Sequence, residues 1–425
     1  MPRNGPRIRV LYVQPGDAFG GTERQAATVM PLLGAHGVDV VPLVGPGETI
    51  VEWLRARGLG DVVFSADFPE NMPSARGLAL LGVPVHYARA RARIAHTVAR
   101  LVQERSIDLV YASLPFAWAS ATVTCRRLGV PIVWRAGGPQ LYGGALGHIV
   151  FAPWARRHPP DLVVCSSSAV RATFASLVPA PLAVALNGVD LDEFQPAPSD
   201  ASNGRPAGAE LTVGFAARLV AAKGIGDVLA VAARTAVAAP QVRFVIAGDG
   251  PRRADYERRA RALGAHRNVR FLGYVHDMRA FYAACDVFVL PSRAEGCPNV
   301  LLEAMATRRA VVAYDIPGIR EIVGDSKTAV LVAPGDVTAL HAAITWLCRD
   351  TAAREGLGAA GLARVRAHFD ARVAAGRIAR LLHTVVQSTG AGTTVGATEP
   401  LHAVERYELE PAGCEQAENA RQRGD

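Results

Sequence analysis

Two successive sets of alternating strand and helix patterns constrain the fold of this chain more than any other feature. Short β-branched runs followed by helical stretches are typical of parallel sheets covered by helices on both faces. The first strands are predicted at Ile8–Val13, Val38–Leu43, Leu109–Ala112, Ile132–Trp134, Leu162–Cys165 and Leu182–Ala185. The second set is predicted at Leu211–Phe215, Val242–Ile246, Val269–Leu272, Val287–Leu290, Val311–Ala313 and Val330–Val332. The pattern indicates an α/β protein with two Rossmann-like domains and a cleft between them.

The domain limits follow from the segments between and after these sets. Phe194–Gly208 is rich in Pro, Ala, Ser and Gly and is predicted to be a linker or surface excursion. We place the first domain at 1–187 and the second at 188–369, and a chain of 425 residues is long enough for both cores. Asp370–Val386 predicts a final helix, and the polar tail 388–425 is predicted to be disordered.

Charge and composition limit the classes of partner and the compartment. The chain has a net charge of +8, of which the tail from Ser388 contributes −4, so the rest carries +12. A basic body suits anionic small molecules, anionic lipids or nucleic acid, but no nucleic-acid motif or aromatic platform accompanies it. Six scattered cysteines without a C-x-x-C pair favour a reducing compartment. With no signal-peptide pattern and no apolar run of membrane-spanning length, we expect a cytoplasmic protein whose membrane contacts are peripheral.

The loop after the first predicted strand contains the adjacent glycines Gly20 and Gly21. Thr22 and Gln25 then have the spacing of a capping box. Glycines before a helix allow a ligand to approach unpaired backbone N–H groups, so this loop either contacts an anionic ligand or is an ordinary tight turn. The loop is neither G-x-G-x-x-G nor a P-loop, which disfavours a dinucleotide fold and a P-loop kinase.

Two basic residues follow the first strand of the second set. Arg218 and Lys223 flank the carboxyl end of Leu211–Phe215, where open α/β sheets bind ligands. Two fixed cations there would neutralise a departing diphosphate. Taken alone, the pair is equally consistent with two solvated basic side chains.

The strongest signal is the segment Val287–Val312. A buried-type strand is followed by a loop with Glu295, and Pro298 suits the first position of a helix. Glu303 lies in that helix, so the two glutamates can hold two parts of one elongated ligand. The alternative is a solvated helix with incidental glutamates.

The first turn of this predicted helix offers backbone donors. The N–H groups of Asn299, Val300 and Leu301 are expected to be unpaired, and the helix dipole places partial positive charge behind them. A phosphate held there needs no metal.

Seven segments of the chain resemble one enzyme family in sequence and in order. They are Gly20-Gly21-Thr22, Asn187-Gly188-Val189-Asp190, Arg218 with Lys223-Gly224, Ala247-Gly248-Asp249-Gly250-Pro251, Leu272-Gly273-Tyr274-Val275, Asp286-Val287-Phe288-Val289-Leu290-Pro291-Ser292 and Glu295 to Glu303. They resemble the family 4 retaining glycosyltransferases, also called glycosyl transferases group 1, which have the two-domain GT-B fold. The resemblance covers 8–386 and is densest over 187–335.

The resemblance implies roles for individual residues. Arg218 and Lys223 would bind the donor diphosphate, and Glu295 would contact the transferred sugar, which makes these three the candidate catalytic residues. Glu303 would accept hydrogen bonds from the ribose. The implied donor-binding residues are Gly20, Gly21, Gly248, Gly250, Tyr274, Val275, Gly296, Cys297, Asn299, Val300, Leu301 and Glu303.

The implied activity is retaining transfer of a sugar from a nucleotide-diphosphate sugar to a glycan, lipid-linked or small-molecule acceptor, as in polysaccharide biosynthesis. No cofactor and no metal are expected. A sugar-nucleotide epimerase or phosphorylase of the same fold remains an alternative, as does a non-catalytic nucleotide-sugar-binding partner subunit.

The first domain departs from the family pattern. Many members have a histidine at the end of a central strand, where the strand ends of this chain read Ala112-Ser113-Leu114-Pro115 and Trp134-Arg135-Ala136-Gly137-Gly138-Pro139. His148, His158 and His276 are either other candidates for this role or ordinary surface and loop histidines. Arg135 and Gly137 are therefore the candidate acceptor-side residues, with Arg135 taking part of the histidine's role.

A basic helical face in the first domain suggests a membrane contact. If 89–105 is helical, one narrow face carries the side chains of Arg89, Arg93, His96 and Arg100. The face either lies on anionic lipid, as a lipid-linked acceptor would require, or is the solvated side of a packed helix.

Overall fold

The structure is a computed structural model. It describes residues 7–16, 20–45, 48–60, 63–64, 68, 83–138, 144–196, 210–324 and 327–390.

The elements of the N-terminal lobe occupy the first half of the chain. Its strands are β1 Ile8–Gln14, β2 Val38–Val44, β3 Val63–Phe64, β4 Leu109–Ser113, β5 Ile132–Ala136, β6 Leu162–Cys165 and β7 Leu182–Val184. Its helices are α1 Gly21–Leu33, α2 Glu48–Ala56, α3 Val83–Glu104, α4 Leu114–Leu128, α5 Gly144–Arg157 and α6 Ser168–Ala175.

The C-terminal lobe repeats the alternation. Its strands are β8 Leu211–Ala216, β9 Val242–Ala247, β10 Val269–Gly273, β11 Val287–Leu290, β12 Ala310–Tyr314 and β13 Val330–Val332. The remaining helices are α7 Ile225–Ala238, α8 Arg253–Ala262, α9 Met278–Ala283, α10 Asn299–Ala306, α11 Pro317–Val323, α12 Val337–Arg349, α13 Thr351–His368 and α14 Ala371–Gly390.

Each lobe is built on one parallel sheet. Within the described residues, seven strands form the N-terminal sheet in the order β3-β2-β1-β4-β5-β6-β7, and six form the C-terminal sheet in the order β10-β9-β8-β11-β12-β13. Helices cover both faces, so the central strands β4, β5 and β11 are buried along their whole length. The strand order reverses between β1 and β4 and between β8 and β11. In open α/β sheets, ligands bind at the carboxyl ends of the strands beside such reversals.

The strand predictions are confirmed, and three details are corrected. All predicted strands are present within two residues of their predicted ends, whereas the two-residue strand β3 was not predicted. The predicted linker begins too early, because Phe194 is buried in the core of the C-terminal lobe. The last helix continues to Gly390, so the start of the predicted disordered tail is helical. The rest of both segments, 197–209 and 391–425, lies outside the described residues.

The chain crosses between the lobes along two adjacent segments. The Val189 N–H donates to the Phe369 carbonyl at 2.8 Å, and the Ala371 N–H donates to the Val189 carbonyl at 3.0 Å. A Cβ atom on Gly188 would collide with the Ala371 backbone, so this close approach needs glycine. The two segments that link the lobes therefore lie side by side and are hydrogen-bonded to each other.

Helix α14 returns the chain to the N-terminal lobe. It packs on α1, and its side chains Ile378 and Leu382 lie in the same buried cluster as Met30 and Leu33. The N-terminal lobe is thus completed by the last helix described.

Helix α3 has one apolar face and one basic face, as predicted. Ile94 and Val98 are buried in the core. Its exposed side chains include Arg89, Arg93, His96 and Arg100. No helix in the described part of the chain combines the length and apolarity needed to cross a membrane.

Candidate active site

Two loops of the C-terminal lobe meet at the carboxyl edge of its sheet. One follows β8 and carries Lys223, and the other follows β11 and carries Glu295. The Arg293 N–H donates to the Ala222 carbonyl at 2.8 Å, which joins the two loops by their backbones. Lys223 Nζ lies 2.7 Å from Glu295 Oε1, and both side chains are largely buried. The structure therefore brings together two of the three candidate catalytic side chains.

Gly224 makes this junction possible. Its φ of +73° lies in the left-handed region that favours glycine. A Cβ atom at this position would also overlap the carbonyl oxygen of Pro291. Lys223 is thus held against the β11 loop by a backbone contact that tolerates no side chain.

Arg218, the third candidate catalytic residue, lies on the same β8 loop and is exposed. Gly248 and Gly250, predicted to bind the donor, lie behind this loop. A Cβ atom on Gly248 would overlap the Ala217 carbonyl, and one on Gly250 would lie 2.8 Å from the Leu219 nitrogen. In the structure these glycines therefore shape the loop that presents Arg218.

The start of α10 differs from the prediction in two details. The helix begins at Asn299 and Pro298 precedes it with an extended backbone, so the prediction of Pro298 as the first helical residue is wrong. The Leu301 N–H donates to the Pro298 carbonyl at 3.1 Å, so the expectation of an unpaired donor at Leu301 is wrong. The first turn is closed by a hydrogen bond between residues three apart, which pattern alone does not reveal. Asn299 and Val300 occupy the first two helical positions.

The Glu295–Gly296 loop is fixed from two sides. A Cβ atom on Gly318, in α11, would overlap the carbonyl oxygens of both residues of the loop. A Cβ atom on Gly296 would lie 2.5 Å from the Gly137 carbonyl and from Ser166 Oγ, in the N-terminal lobe. The two lobes are therefore in contact at this point.

Cys297, also predicted at the donor site, has a buried side chain. Burial raises the pKa of its thiol to about 12. The residue can therefore contribute backbone groups to a ligand site, whereas its thiol belongs to the core.

A chain of amide hydrogen bonds crosses between the lobes. Asn187 Nδ2 lies 2.7 Å from the Cys297 carbonyl and 2.8 Å from Asn299 Oδ1. Asn299 Nδ2 donates in turn to the Gly21 carbonyl at 2.7 Å. Gly21 and Asn299, predicted separately as donor-binding residues, are thus direct partners.

The candidate acceptor-side residues lie within this contact. Arg135 is 5% exposed, and it donates to the Ala185 carbonyl at 2.8 Å and to Asn187 Oδ1 at 2.7 Å. The Gly137 carbonyl accepts from Ser166 Oγ at 3.0 Å. In the structure Arg135 is a buried support for Asn187 instead of a group open to an acceptor.

Glu303 lies in the second turn of α10 with its side chain 4% exposed. The Tyr282 hydroxyl donates to Glu303 Oε2 at 2.9 Å, and Arg24 Nε lies 2.9 Å from Glu303 Oε1. Burial raises the pKa of Glu303 above its ordinary value, and the opposing effects of Arg24 and Tyr282 are smaller. A carboxylate is thus held in the cleft by one partner from each lobe.

Comparison with known proteins agrees with this geometry. Residues 19–193 match the family model described as Glycosyltransferase Family 4, and residues 210–350 match Glycosyl transferases group 1. A glycogen synthase of Mycobacterium tuberculosis is 32% identical over 392 residues, which cover 85% of this chain and 91% of the relative. The chain belongs to the family 4 glycosyltransferases.

Other relatives of this glycosyltransferase vary in how much of the chain they match. The lipopolysaccharide core biosynthesis mannosyltransferase LpcC of Rhizobium leguminosarum is 28% identical over 77% of the chain and 89% of the relative. An alpha-D-kanosaminyltransferase of Streptomyces kanamyceticus is 33% identical, but the match covers only 33% of the chain and 37% of that relative.

Solved structures show the GT-B fold. Anabaena Alr3699/HepE in complex with UDP and glucose superposes with a TM-score of 0.71 at 23% identity, covering 89% of this chain and all of the other. The sucrose-phosphate synthase of Thermosynechococcus elongatus gives 0.70 at 19% identity, over 90% of this chain. The predicted family and fold are confirmed.

The start of α1, on the N-terminal side of the glycosyltransferase's cleft, differs from the prediction. Helix α1 begins at Gly21, and the Gly20 N–H donates to Glu23 Oε2 at 3.1 Å. The cap therefore uses Glu23, and the predicted Thr22–Gln25 capping box is wrong because the N-cap is Gly20, two residues before Thr22. Residues 17–19, before these glycines, lie outside the described residues.

Tyr274 and Val275 follow β10 at the same cleft. Tyr274 is 45% exposed, and its ring centroid lies 4.7 Å from that of His276 in an edge-to-face arrangement, whereas Val275 packs against the core. Burial raises the pKa of Tyr274, and the charge of Arg24 has an opposing effect. Tyr274 thus lies near the Arg24–Glu303 pair.

Sequence reasoning missed Arg24 and one further contact between the lobes. Glu321, in α11, accepts from the Ser168 N–H at 2.9 Å and from its hydroxyl at 3.0 Å, at the start of α6. Neither residue lies in a motif that suggests a partner, because each contacts a residue more than 150 positions away in the sequence. Only the relative placement of the lobes reveals them.

Proposed function

We propose that this glycosyltransferase transfers a hexosyl group from a nucleotide-diphosphate sugar with retention of configuration and without a metal. In this proposal Arg218, Lys223 and the start of α10 bind the leaving diphosphate. The observation that carries it is the Lys223–Glu295 pair at 2.7 Å. It joins the loop after β8 to the loop after β11, which leads into α10.

The proposed chemistry follows from where charge develops. Glycosyl transfer passes through an oxocarbenium-like state, and the diphosphate gains negative charge as the glycosidic bond breaks. The ammonium of Lys223, the guanidinium of Arg218 and the N–H groups of Asn299 and Val300 would stabilise that charge. Loss of one such preorganised donor typically lowers the rate by about 10²–10³-fold.

Glu295 is assigned to sugar orientation. Its carboxylate is fixed by Lys223 on a loop that α11 supports through Gly318. A group held in this way can accept hydrogen bonds from sugar hydroxyls with little loss of entropy. If the acceptor attacks the face from which the diphosphate leaves, no covalent nucleophile is required.

Retention and donor identity are tested by product analysis. The protein is incubated with UDP-glucose, GDP-mannose and ADP-glucose, first with thermal-shift screening of UDP, GDP and ADP to choose the base. Mass spectrometry should show free nucleoside diphosphate together with a glycosylated acceptor, and NMR of the product should show the donor's anomeric configuration. An isomerised donor would indicate an epimerase, whereas binding without turnover would indicate a non-catalytic subunit.

Metal independence is a separate part of the proposal. Among the residues that the structure describes, no three His, Cys, Asp or Glu side chains are grouped as a metal site would require. We expect turnover in EDTA equal to that in buffer, and recovery of activity only after adding Mg²⁺ or Mn²⁺ would contradict this expectation.

The acceptor is proposed to be a glycan or a lipid-linked sugar handled at the cytoplasmic face of a membrane. The supporting observation is the exposed basic face of α3, with Arg89, Arg93, His96 and Arg100. Sedimentation with phosphatidylglycerol vesicles at low salt should exceed that with phosphatidylcholine vesicles. Equal sedimentation with both would remove the membrane contact and leave the transferase activity untouched.

A further inference from the structure

Arg24 lies between two carboxylates at the point where the lobes meet. Its Nε is 2.9 Å from Glu303 Oε1, and one of its Nη atoms is 3.4 Å from Glu193 Oε1. The guanidinium also lies over the ring of Phe194, 5.1 Å from the ring centroid. Its side chain is 17% exposed. Arg24 is therefore held in one place by partners on the C-terminal side of the crossing.

A second arginine fixes Glu193 in turn. Arg57 Nη2 donates to Glu193 Oε2 at 2.8 Å, and its guanidinium lies over the Trp53 ring at 3.2 Å. These contacts run from Arg57, after α2, to Glu193 in the crossing segment that follows Val189. From Glu193 they continue to Arg24 in α1 and end at Glu303 in α10, so they link the two lobes.

We infer that Arg24, from the opposite lobe, is a positioning residue that keeps Glu303 ionised and aimed at the donor ribose. This inference rests on the proposed function, because it assigns Glu303 to the ribose hydroxyls. It adds a residue of the opposite lobe to the donor site.

The carboxylate of Glu303 has acceptor positions that its protein partners do not use. A carboxylate has about four lone-pair positions on its two oxygens, and Arg24 and Tyr282 each occupy one. The remaining positions can accept ribose hydroxyls. A protonated Glu303 would offer fewer acceptors and would place a donor where the hydroxyls must donate.

The ionised state of Glu303 depends on few groups. Those that face it are Arg24 from α1, Tyr282 from α9, Glu193 from the crossing segment and Tyr274 from the β10 loop. Arg24 is the cation among these four. Burial already raises the pKa of Glu303, so removal of Arg24 should raise it further.

The first test measures binding of the nucleoside diphosphate, UDP, GDP or ADP, that stabilises the wild-type protein most. At pH 7, Arg24→Met should weaken this binding by roughly tenfold, the change expected when a hydrogen bond to a charged acceptor is lost. Raising the pH to 8 should restore part of the loss, and Arg24→Lys should restore most of it. Arg91→Met, which removes a half-buried guanidinium bonded to the Ala119 carbonyl, is the matched control and should bind normally.

The second test needs no nucleotide. A glutamate whose folded-state pKa is raised keeps a proton that the unfolded chain releases, so stability falls as the pH rises from the unfolded to the folded pKa. Arg24→Met should enlarge this fall and extend it to higher pH. Arg24→Met/Glu303→Gln lacks the Glu303 carboxyl but keeps Glu193, so it should lose the part of the fall that Glu303 causes.

The outcomes separate the inference from the function on which it rests. Unchanged or tighter nucleotide binding by Arg24→Met, or an equal pH slope with and without Glu303, would overturn the role of Arg24. If none of the three nucleotides binds the wild-type protein, the proposed function fails, and the pH slope still decides whether Arg24 controls Glu303. Should Arg24→Met not fold, Arg24→Gln, a neutral side chain that can still donate a hydrogen bond to Glu303, replaces it in both tests.

Discussion

The two lobes contribute different kinds of groups to the cleft. The C-terminal lobe brings charged side chains on loops after its strands, such as Lys223 and Glu295. The N-terminal lobe brings mainly backbone oxygens, such as those of Gly21 and Gly137, and the neutral amide of Asn187 at the crossing. Arg24 and Arg57, which contact Glu303 and Glu193, are the charged exceptions among the contacts described above.

This difference explains where sequence motifs are informative. A charged group that must stabilise a leaving diphosphate requires one residue type at one place, which leaves a recognisable pattern. A backbone carbonyl can come from almost any residue and leaves none. The charged lobe should accordingly control turnover, and the other lobe should control closure.

Lys223→Ala offers the strongest test of this division. It removes a cation from the proposed leaving-group site and should lower kcat by about 10²–10³-fold, with an unchanged circular dichroism spectrum. Lys327→Ala, at the chain's other lysine, is the control and should keep wild-type kinetics. Unchanged donor kinetics in Lys223→Ala would end the assignment of the site to the C-terminal lobe.

Gly224→Ala tests whether the junction of the β8 and β11 loops must be glycine. The substitution combines a left-handed backbone with overlap at the Pro291 carbonyl, so it should lower the free energy of unfolding by about 2–4 kcal/mol. Gly264→Ala has the same φ of +73° but no neighbouring atom within 4 Å of the added Cβ. It should lose only about 1–2 kcal/mol in urea denaturation. Equal losses would show that the close contact is unimportant.

Asn187→Ala tests the neutral contacts between the lobes. Removal of this amide leaves the buried Arg135 with one fewer acceptor and should lower the free energy of unfolding by about 1–3 kcal/mol. It should also weaken nucleotide binding, because Asn299 and Cys297 lose their partner. Asn268→Ala removes a buried amide within the C-terminal lobe alone and should reduce stability without this effect on binding.

Glu321→Ala is expected to have the smallest effect. Its carboxylate accepts hydrogen bonds at the start of α6, which typically contributes about 0.3–1 kcal/mol and weakens with salt. Small-angle scattering at low salt should show a slightly larger radius of gyration than for wild type, and the difference should vanish in high salt. The exposed Glu355→Ala, on α13, should show no change at either salt concentration.

Much of the fold could be predicted because buried parallel strands have distinctive composition. Runs such as Val287–Leu290 are continuously apolar, and their predicted ends agree with the structure. β3 escaped prediction because two residues carry no pattern. The last helix is longer than predicted since its final turns, Gln387–Gly390, contain Ser, Thr and Gly, which composition assigns to a tail.

The candidate site was predictable only where its groups are close in sequence. Glu295 and Glu303 flank one helix start, whereas Arg24 and Glu303 meet through the packing of two lobes. The burial of Arg135 could not be predicted either, because its partners Ala185 and Asn187 lie some 50 residues further along the chain. A basic residue at a strand end gives no local sign of whether it faces the cleft or the interior.

A crystal structure with UDP, GDP or ADP, whichever shifts the melting temperature most, would examine the central claim directly. We expect the terminal phosphate within hydrogen-bond distance of Lys223 Nζ and of the N–H groups of Asn299 or Val300, with Arg218 on the same phosphate. A diphosphate bound elsewhere, with Lys223 and the start of α10 left in contact with solvent, would contradict the account.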